Sequence, residues 1–191
     1  MTIDNNNIFN NNGHGNAFGN VSKSAFVKTY VLIVSKTFPK THSKSGKHTF
    51  FIEKINEAKI SISETPIMGS KIHTLRGNYQ LWKKRIDEIQ KGKAILSLRF
   101  WIGKPYNSKQ VEFLQLDKSS GIGIQGLYFD FNRILEPFIS SEDSKNELQT
   151  YLSTHEIARN DGLNYLDFKE WFKGYDLNEP MAIIHFTAFR Y

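Results

Sequence analysis

Lys71, Thr74 and Arg76 stand together in the stretch GSKIHTLR, Gly69 to Arg76, which sets an amine, a hydroxyl and a guanidinium within six residues. A threonine hydroxyl is a poor nucleophile until a base takes its proton or a nearby cation stabilises its alkoxide. A desolvated lysine close to other cations loses its proton more readily and can serve as that base. Arg76 can clamp a phosphate, or orient a carboxylate through two parallel hydrogen bonds. Lys71 and Thr74 are three residues apart, so they share a face in a helical turn and point oppositely in a flat strand. Gly69 and Gly77 on either side predict a turn-like path. The plainer alternative is the polar edge of a strand.

Other stretches carry weaker chemistry. GIGIQG, Gly121 to Gly126, fits the glycine pattern of a dinucleotide site, but that site needs a helix N-terminus behind it to meet the pyrophosphate. LYFDFNR follows instead and has the pattern of a strand, so a glycine-rich hairpin or bulge is expected. His42 and His48 lie in a Lys-rich loop that would repel a cation, and His185 lies in an apolar strand, so no metal site and no cofactor are expected. KKR, Lys83, Lys84 and Arg85, with Lys91 and Lys93 nearby, could meet phosphates or form a solvated helix face. WIGKPYNSKQ, Trp101 to Gln110, mixes Tyr106 with Lys104 and Lys109. Aromatic faces stack on bases while lysines meet phosphates, although Pro105 and Asn107 also suit a plain hairpin turn.

Charge is unevenly distributed. Residues 1–110 hold 18 Lys and Arg against 6 Asp and Glu, whereas residues 111–191 hold 7 against 13. No acid occurs between Asp4 and Glu53, a span that contains Lys40, Lys44 and Lys47. A field of one sign favours phosphate-bearing partners. The absence of cysteine excludes disulfides, thiolate metal sites and thiol nucleophiles. No apolar run approaches the roughly 18 residues that span a bilayer, and the first residues lack the pattern of a signal peptide. A soluble, cytoplasmic protein without a membrane partner is expected.

These residues need elements to hold them. Residues 1–24 are rich in Asn and Gly and read as a disordered tail, with one domain over 25–191. AFVKTYVLIVS, Ala25 to Ser35, reads as a strand, Lys36 to His48 as a long loop, and a short helix opens at Thr49. Asn78 to Gly92 is the clearest helix, with Asn78 as cap, Leu81, Trp82, Ile86 and Ile89 on one face, and Gly92 as stop. Strands are predicted at AILSLRFWI, QVEFLQLD and GIQGLYFDF. Ser153 and Glu156 have the spacing of a capping box, NYLDFKEWFKG reads as a helix ending at Gly174, and MAIIHFTAFRY as a closing apolar strand. A small mixed barrel follows from this order.

Gly69-Ser-Lys71-Ile-His-Thr74-Leu-Arg76 resembles the G-x-K-x-x-x-x-R signature of ASCH domains, relatives of the PUA RNA-binding fold. It is similar, more narrowly, to the G-x-K-x-x-T-x-R of small bacterial acetylcytidine amidohydrolases. IQKGKAILSLRF is a counterpart of the step into a strand that follows in that family, and MAIIHFTAFRY of its terminal strand. The resemblance implies an α+β fold: a small PUA-like β-barrel with flanking helices and a cleft lined by the signature. It implies that Thr74 attacks an amide carbonyl, Lys71 activates it and an acid completes the trio. Asp161 is the expected counterpart of the family's Glu, one methylene shorter, and Glu156 is the alternative. The likeness extends over residues 26–191, with loops 36–48 and 102–110 and segment 130–150 as additions resembling larger ASCH-like proteins of phages and bacteria. The expected function is nucleic-acid or nucleotide binding related to RNA, with Arg76 and the basic residues above as contacts. An amidohydrolase on N-acylated cytidine-type nucleosides and a non-catalytic interaction protein are the alternatives.

Overall fold

The computed structural model describes residues 27–60, 69–130, 136–140 and 149–191. The expected N-terminal tail, 1–24, lies outside the described residues, as do parts of segment 130–150. The described chain is α+β. Its order is β1 (Lys28–Ile33), α1 (Phe51–Ile60), β2 (His73–Arg76), α2 (Tyr79–Gln90), β3 (Ala94–Trp101), β4 (Gln110–Leu116), β5 (Gly123–Asp130), β6 (Glu136–Ser140), β7 (Gln149–Tyr151), α3 (Thr154–Asn160), α4 (Tyr165–Trp171) and β8 (Met181–His185).

The strands form two sheets, β1-β3-β4 and β2-β8-β5-β6-β7. β1 runs parallel to β3, with Lys28 opposite Ala94, and every other pairing is antiparallel. Among the described residues no ladder joins the two sheets, so the expected barrel is not closed by backbone hydrogen bonds. Arg76 bridges the seam instead. Its Nη2 donates to the Ile33 carbonyl at the end of β1 (2.9 Å), and its Nη1 donates to the Leu75 carbonyl (2.8 Å) and to Thr74 Oγ1 (3.0 Å).

α2 forms where its sequence predicts. Asn78 Oδ1 accepts from the Leu81 N–H at 3.1 Å, and Gly92, at φ 70°, takes the left-handed turn that ends the helix. Trp82, Ile86 and Ile89 are buried with Leu96 and Leu98 of β3 and Ile183 and Ile184 of β8. Each fully buried aliphatic side chain contributes roughly 1.5–3 kcal/mol of transfer free energy. Leu81 does not share that face; it is exposed, and Tyr79 takes the buried place.

Four further expectations are corrected. GIGIQG forms neither hairpin nor bulge: Gly123 and Gly126 lie within β5, where close packing of Arg190 and Tyr128 leaves no room for a Cβ. The capping box at Ser153 does not form, because no side-chain cap bond is made there and the Ser153 carbonyl takes the Glu156 N–H (2.9 Å). The closing strand stops at His185, since its β5 partner register ends at Gly123. Residues 186–191 fold back, with Arg190 donating to the carbonyls of Thr187, Phe189 and Gly121. The path from Gly69 to Gly77 is extended rather than turn-like, with Lys71 in an isolated antiparallel bridge to Asp161 and Thr74 in β2.

Candidate functional site

Lys71 enters the interior because its backbone is held at both ends. Its N–H donates to the Lys54 carbonyl of α1 (3.1 Å), and the next N–H, of Ile72, donates to the Asn160 carbonyl at the end of α3 (2.9 Å). The side chain then reaches Asp161, which follows α3. Nζ donates to Asp161 Oδ1 at 2.6 Å and to the Asp161 carbonyl at 2.7 Å, and it sits over the Phe51 ring at 4.3 Å. Gly162 makes this approach possible. At φ 77°, its missing Cβ would lie 3.0 Å from Lys71 Cβ.

Lys71 is 2% exposed and Asp161 3%. Burial lowers the Lys71 ammonium from its ordinary value to about 8, against the attraction of Asp161. Burial raises the Asp161 carboxyl, opposed by Lys71, Arg76 and the Leu75 N–H. Desolvation therefore prevails for both partners and draws the pair toward neutrality. Thr74 and Arg76 line the same small pocket as Lys71 and Asp161, with Phe51, Trp171 and Phe172 forming its apolar wall. Its volume of about 30 Å³ admits a water molecule and little more.

Next to Asp161 along the chain, Asn160 begins a series of hydrogen-bonded polar groups that runs through half-buried Tyr191 to buried His73. Asn160 Nδ2 donates to the Tyr191 phenol oxygen (2.9 Å), and that oxygen is 2.8 Å from His73 Nε2. The phenol proton is then placed to donate to Nε2, which puts the imidazole proton on Nδ1, 3.8 Å from Asp161 Oδ1. His73 Nδ1 and both ring nitrogens of the neighbouring His185 are buried without a hydrogen-bond partner. Burial holds His73 well below the usual imidazole range and His185 at about 3.

A larger groove of about 890 Å³ opens beside the pair, sharing Gly162 and Lys54 with its surroundings. Lys54 Nζ donates to the Gly162 carbonyl at 2.7 Å, tying α1 to the turn after Asp161. The loop 36–48 forms one wall and is fixed to α4. Ser43 gives its N–H and hydroxyl to the Glu170 carboxylate (2.7 and 2.6 Å), Lys44 pairs with Asp167 (2.7 Å), and His42 Nε2 meets the Asp167 carbonyl (3.2 Å). Lys44, Lys47, Lys54 and Arg159 line the groove with one carboxylate, that of Asp167, and with the rings of Phe50 and Tyr165. Such a cavity lies within the roughly 300–1,000 Å³ of small-molecule sites.

The structure thus brings Lys71, Thr74, Arg76 and Asp161 to one small pocket, and Lys44 and Lys47 to the groove beside it. Lys40 is exposed on the same loop but does not line the groove. Lys83 and Lys84 border a separate shallow hollow on α2 with Asp87 and Glu88, and Arg85 lies over the rings of Tyr30 and Trp82. Lys104, Tyr106 and Lys109 occupy the β3–β4 hairpin, where Tyr106 packs 5.6 Å from Trp101. Sequence reasoning passed over Phe50, Lys54, His155, Arg159 and Tyr165. The spacing of His155 and Arg159, four apart on α3, was the one local signal.

Among the described residues no group of three or more His, Asp or Glu could hold a metal ion, and no helix is long and apolar enough to cross a membrane. Compared with known proteins, the chain matches no family model, no curated protein and no solved structure.

Proposed function

We propose that this chain is an ASCH/PUA-like domain that binds nucleotides or single-stranded nucleic acid, RNA foremost, in the groove between loop 36–48 and α3–α4. One observation carries the reading: a nucleotide-sized groove lined by four cations, one carboxylate and several aromatic rings. Cations on a concave wall attract phosphate, and flat rings receive bases whatever their identity. The test is fluorescence anisotropy of a labelled single-stranded RNA at about 50 and 200 mM salt. With about three phosphates engaged, affinity falls about 20-fold between the two, because condensed counterions are released on binding. Lys47→Ala and Arg159→Ala each reduce the salt slope by about 0.7. No measurable binding at the lower salt sinks the proposal.

The convergence of Lys71, Thr74 and Asp161 on one pocket favours a second reading, an amidohydrolase on N-acylated cytidine-type nucleosides. Thr74 Oγ1 attacks the amide carbonyl and gives its proton to neutral Lys71. The C–N bond breaks as Lys71 returns that proton to the leaving amine, and water then hydrolyses the threonine ester to release the carboxylic acid. A nucleoside exceeds the pocket, so turnover requires the Phe51–Trp171–Phe172 wall to move aside. With the amine titrating at about 8, roughly a tenth is neutral at pH 7, and the rate rises toward a plateau above pH 8. Acetate release from N4-acetylcytidine, lost in both Thr74→Ala and Lys71→Ala, is the expected result; activity surviving both changes removes the mechanism.

A further inference from the structure

The groove contains an aromatic side chain held at a conformational cost. Phe50 has φ 58°, a left-handed backbone that L residues other than Asn, Asp and Gly rarely adopt, and yet the residue is 58% exposed. Its carbonyl accepts the first helical bond of α1, from the Lys54 N–H at 3.0 Å, so the position is that of a helix cap. Asn or Gly would satisfy such a position without strain, and neither presents a ring. Burial does not account for phenylalanine here, since most of the side chain meets solvent.

A second flat surface lines the same groove. His155 and Tyr165 stack with ring centroids 4.0 Å apart and planes 8° from parallel, and Lys169 lies over the Tyr165 ring at 5.4 Å. His155 comes from α3 and Tyr165 from α4, while Phe50 and its neighbour His48, 5.8 Å away, come from the loop before α1. Arg159, one turn beyond His155 on α3, lines the groove with these rings, as do Lys47 and Lys54.

We infer that Phe50 and the His155–Tyr165 stack receive an unpaired nucleobase carrying a phosphate, the rings contacting the base while Lys47, Lys54 and Arg159 meet the phosphate. This rests on the proposed nucleotide-binding reading and adds to it a requirement for an exposed base. A duplex, whose bases are stacked on each other, offers no face to the rings; a single strand or a free nucleotide does.

The experiment compares four probes with the full chain at low salt: a single-stranded RNA oligonucleotide, the same strand with abasic sites, its duplex, and a free nucleoside monophosphate. The intact strand binds about 5- to 160-fold more tightly than the abasic strand, the range that stacking of one base supplies. The duplex binds like the abasic strand. Phe50→Asn narrows the difference between intact and abasic strands and raises the melting temperature, because asparagine tolerates the left-handed backbone; an unchanged difference overturns the assignment of Phe50 to the base. Base-dependent binding of the free nucleotide alone identifies a mononucleotide as the ligand and sustains the inference. Equal binding of intact and abasic strands overturns the base requirement and leaves the electrostatic groove intact. Absence of binding by all four overturns the groove reading itself.

Discussion

At Lys71 an ammonium and a carboxylate meet at 2.6 Å where neither is in water. Taking either charge out of solvent costs several kcal/mol, and only the partner and the surrounding donors offset it. Lys71→Met therefore leaves the Asp161 carboxyl buried without its cation and destabilises the fold by about 3–5 kcal/mol. Lys71→Met/Asp161→Asn recovers most of that loss, because the buried carboxylate is removed along with its ammonium and Arg76 keeps its bonds to Ile33, Leu75 and Thr74. Urea denaturation of the two variants measures the difference, and equal instability of both contradicts the assigned coupling. The trio Lys71, Thr74 and Asp161 was legible in the sequence through the order of a short motif and one distant acidic residue. The groove was not, because Phe50, Arg159 and Tyr165 are far apart along the chain and acquire a common surface only through folding.

At the scale of elements, α2 was the most legible, since cap, apolar face and stop all agree with one helix. α3 was less so: seven residues give too few turns for periodicity to speak, and the capping box failed at Ser153, where backbone bonds replace the side chain's. Asn78 in α2 does two tasks at once, adopting φ 57° and accepting the Leu81 N–H. Asn78→Ala loses the cap bond and strains the left-handed backbone, and it is expected to cost about 2 kcal/mol. Asn78→Gly keeps the backbone free and costs less, about 1 kcal/mol or below. Thermal unfolding of both variants checks the order; alanine tolerated better than glycine contradicts the double role.

At the scale of the molecule, pH acts through the interior. His73 and His185 are buried neutral in the folded state and titrate near the ordinary imidazole value, 6.5, once unfolded. Below pH 6.5 the unfolded chain binds more protons than the folded one, so stability is fully present above that value and declines as pH falls toward the folded values. Each histidine contributes up to about 1.4 kcal/mol per pH unit. The denaturation midpoint falls from pH 6.5 to 4.5, before most carboxylates titrate. His185→Leu lessens that slope by about one proton; an unchanged slope contradicts the assignment.

Arg76 gives the division into two sheets a mechanical meaning. The guanidinium that faces the Lys71 pocket also ties the Ile33 carbonyl of one sheet to the Leu75 carbonyl of the other. A substitution at this position therefore acts on the joint between the sheets and on the wall of the Lys71 pocket together, never on one alone.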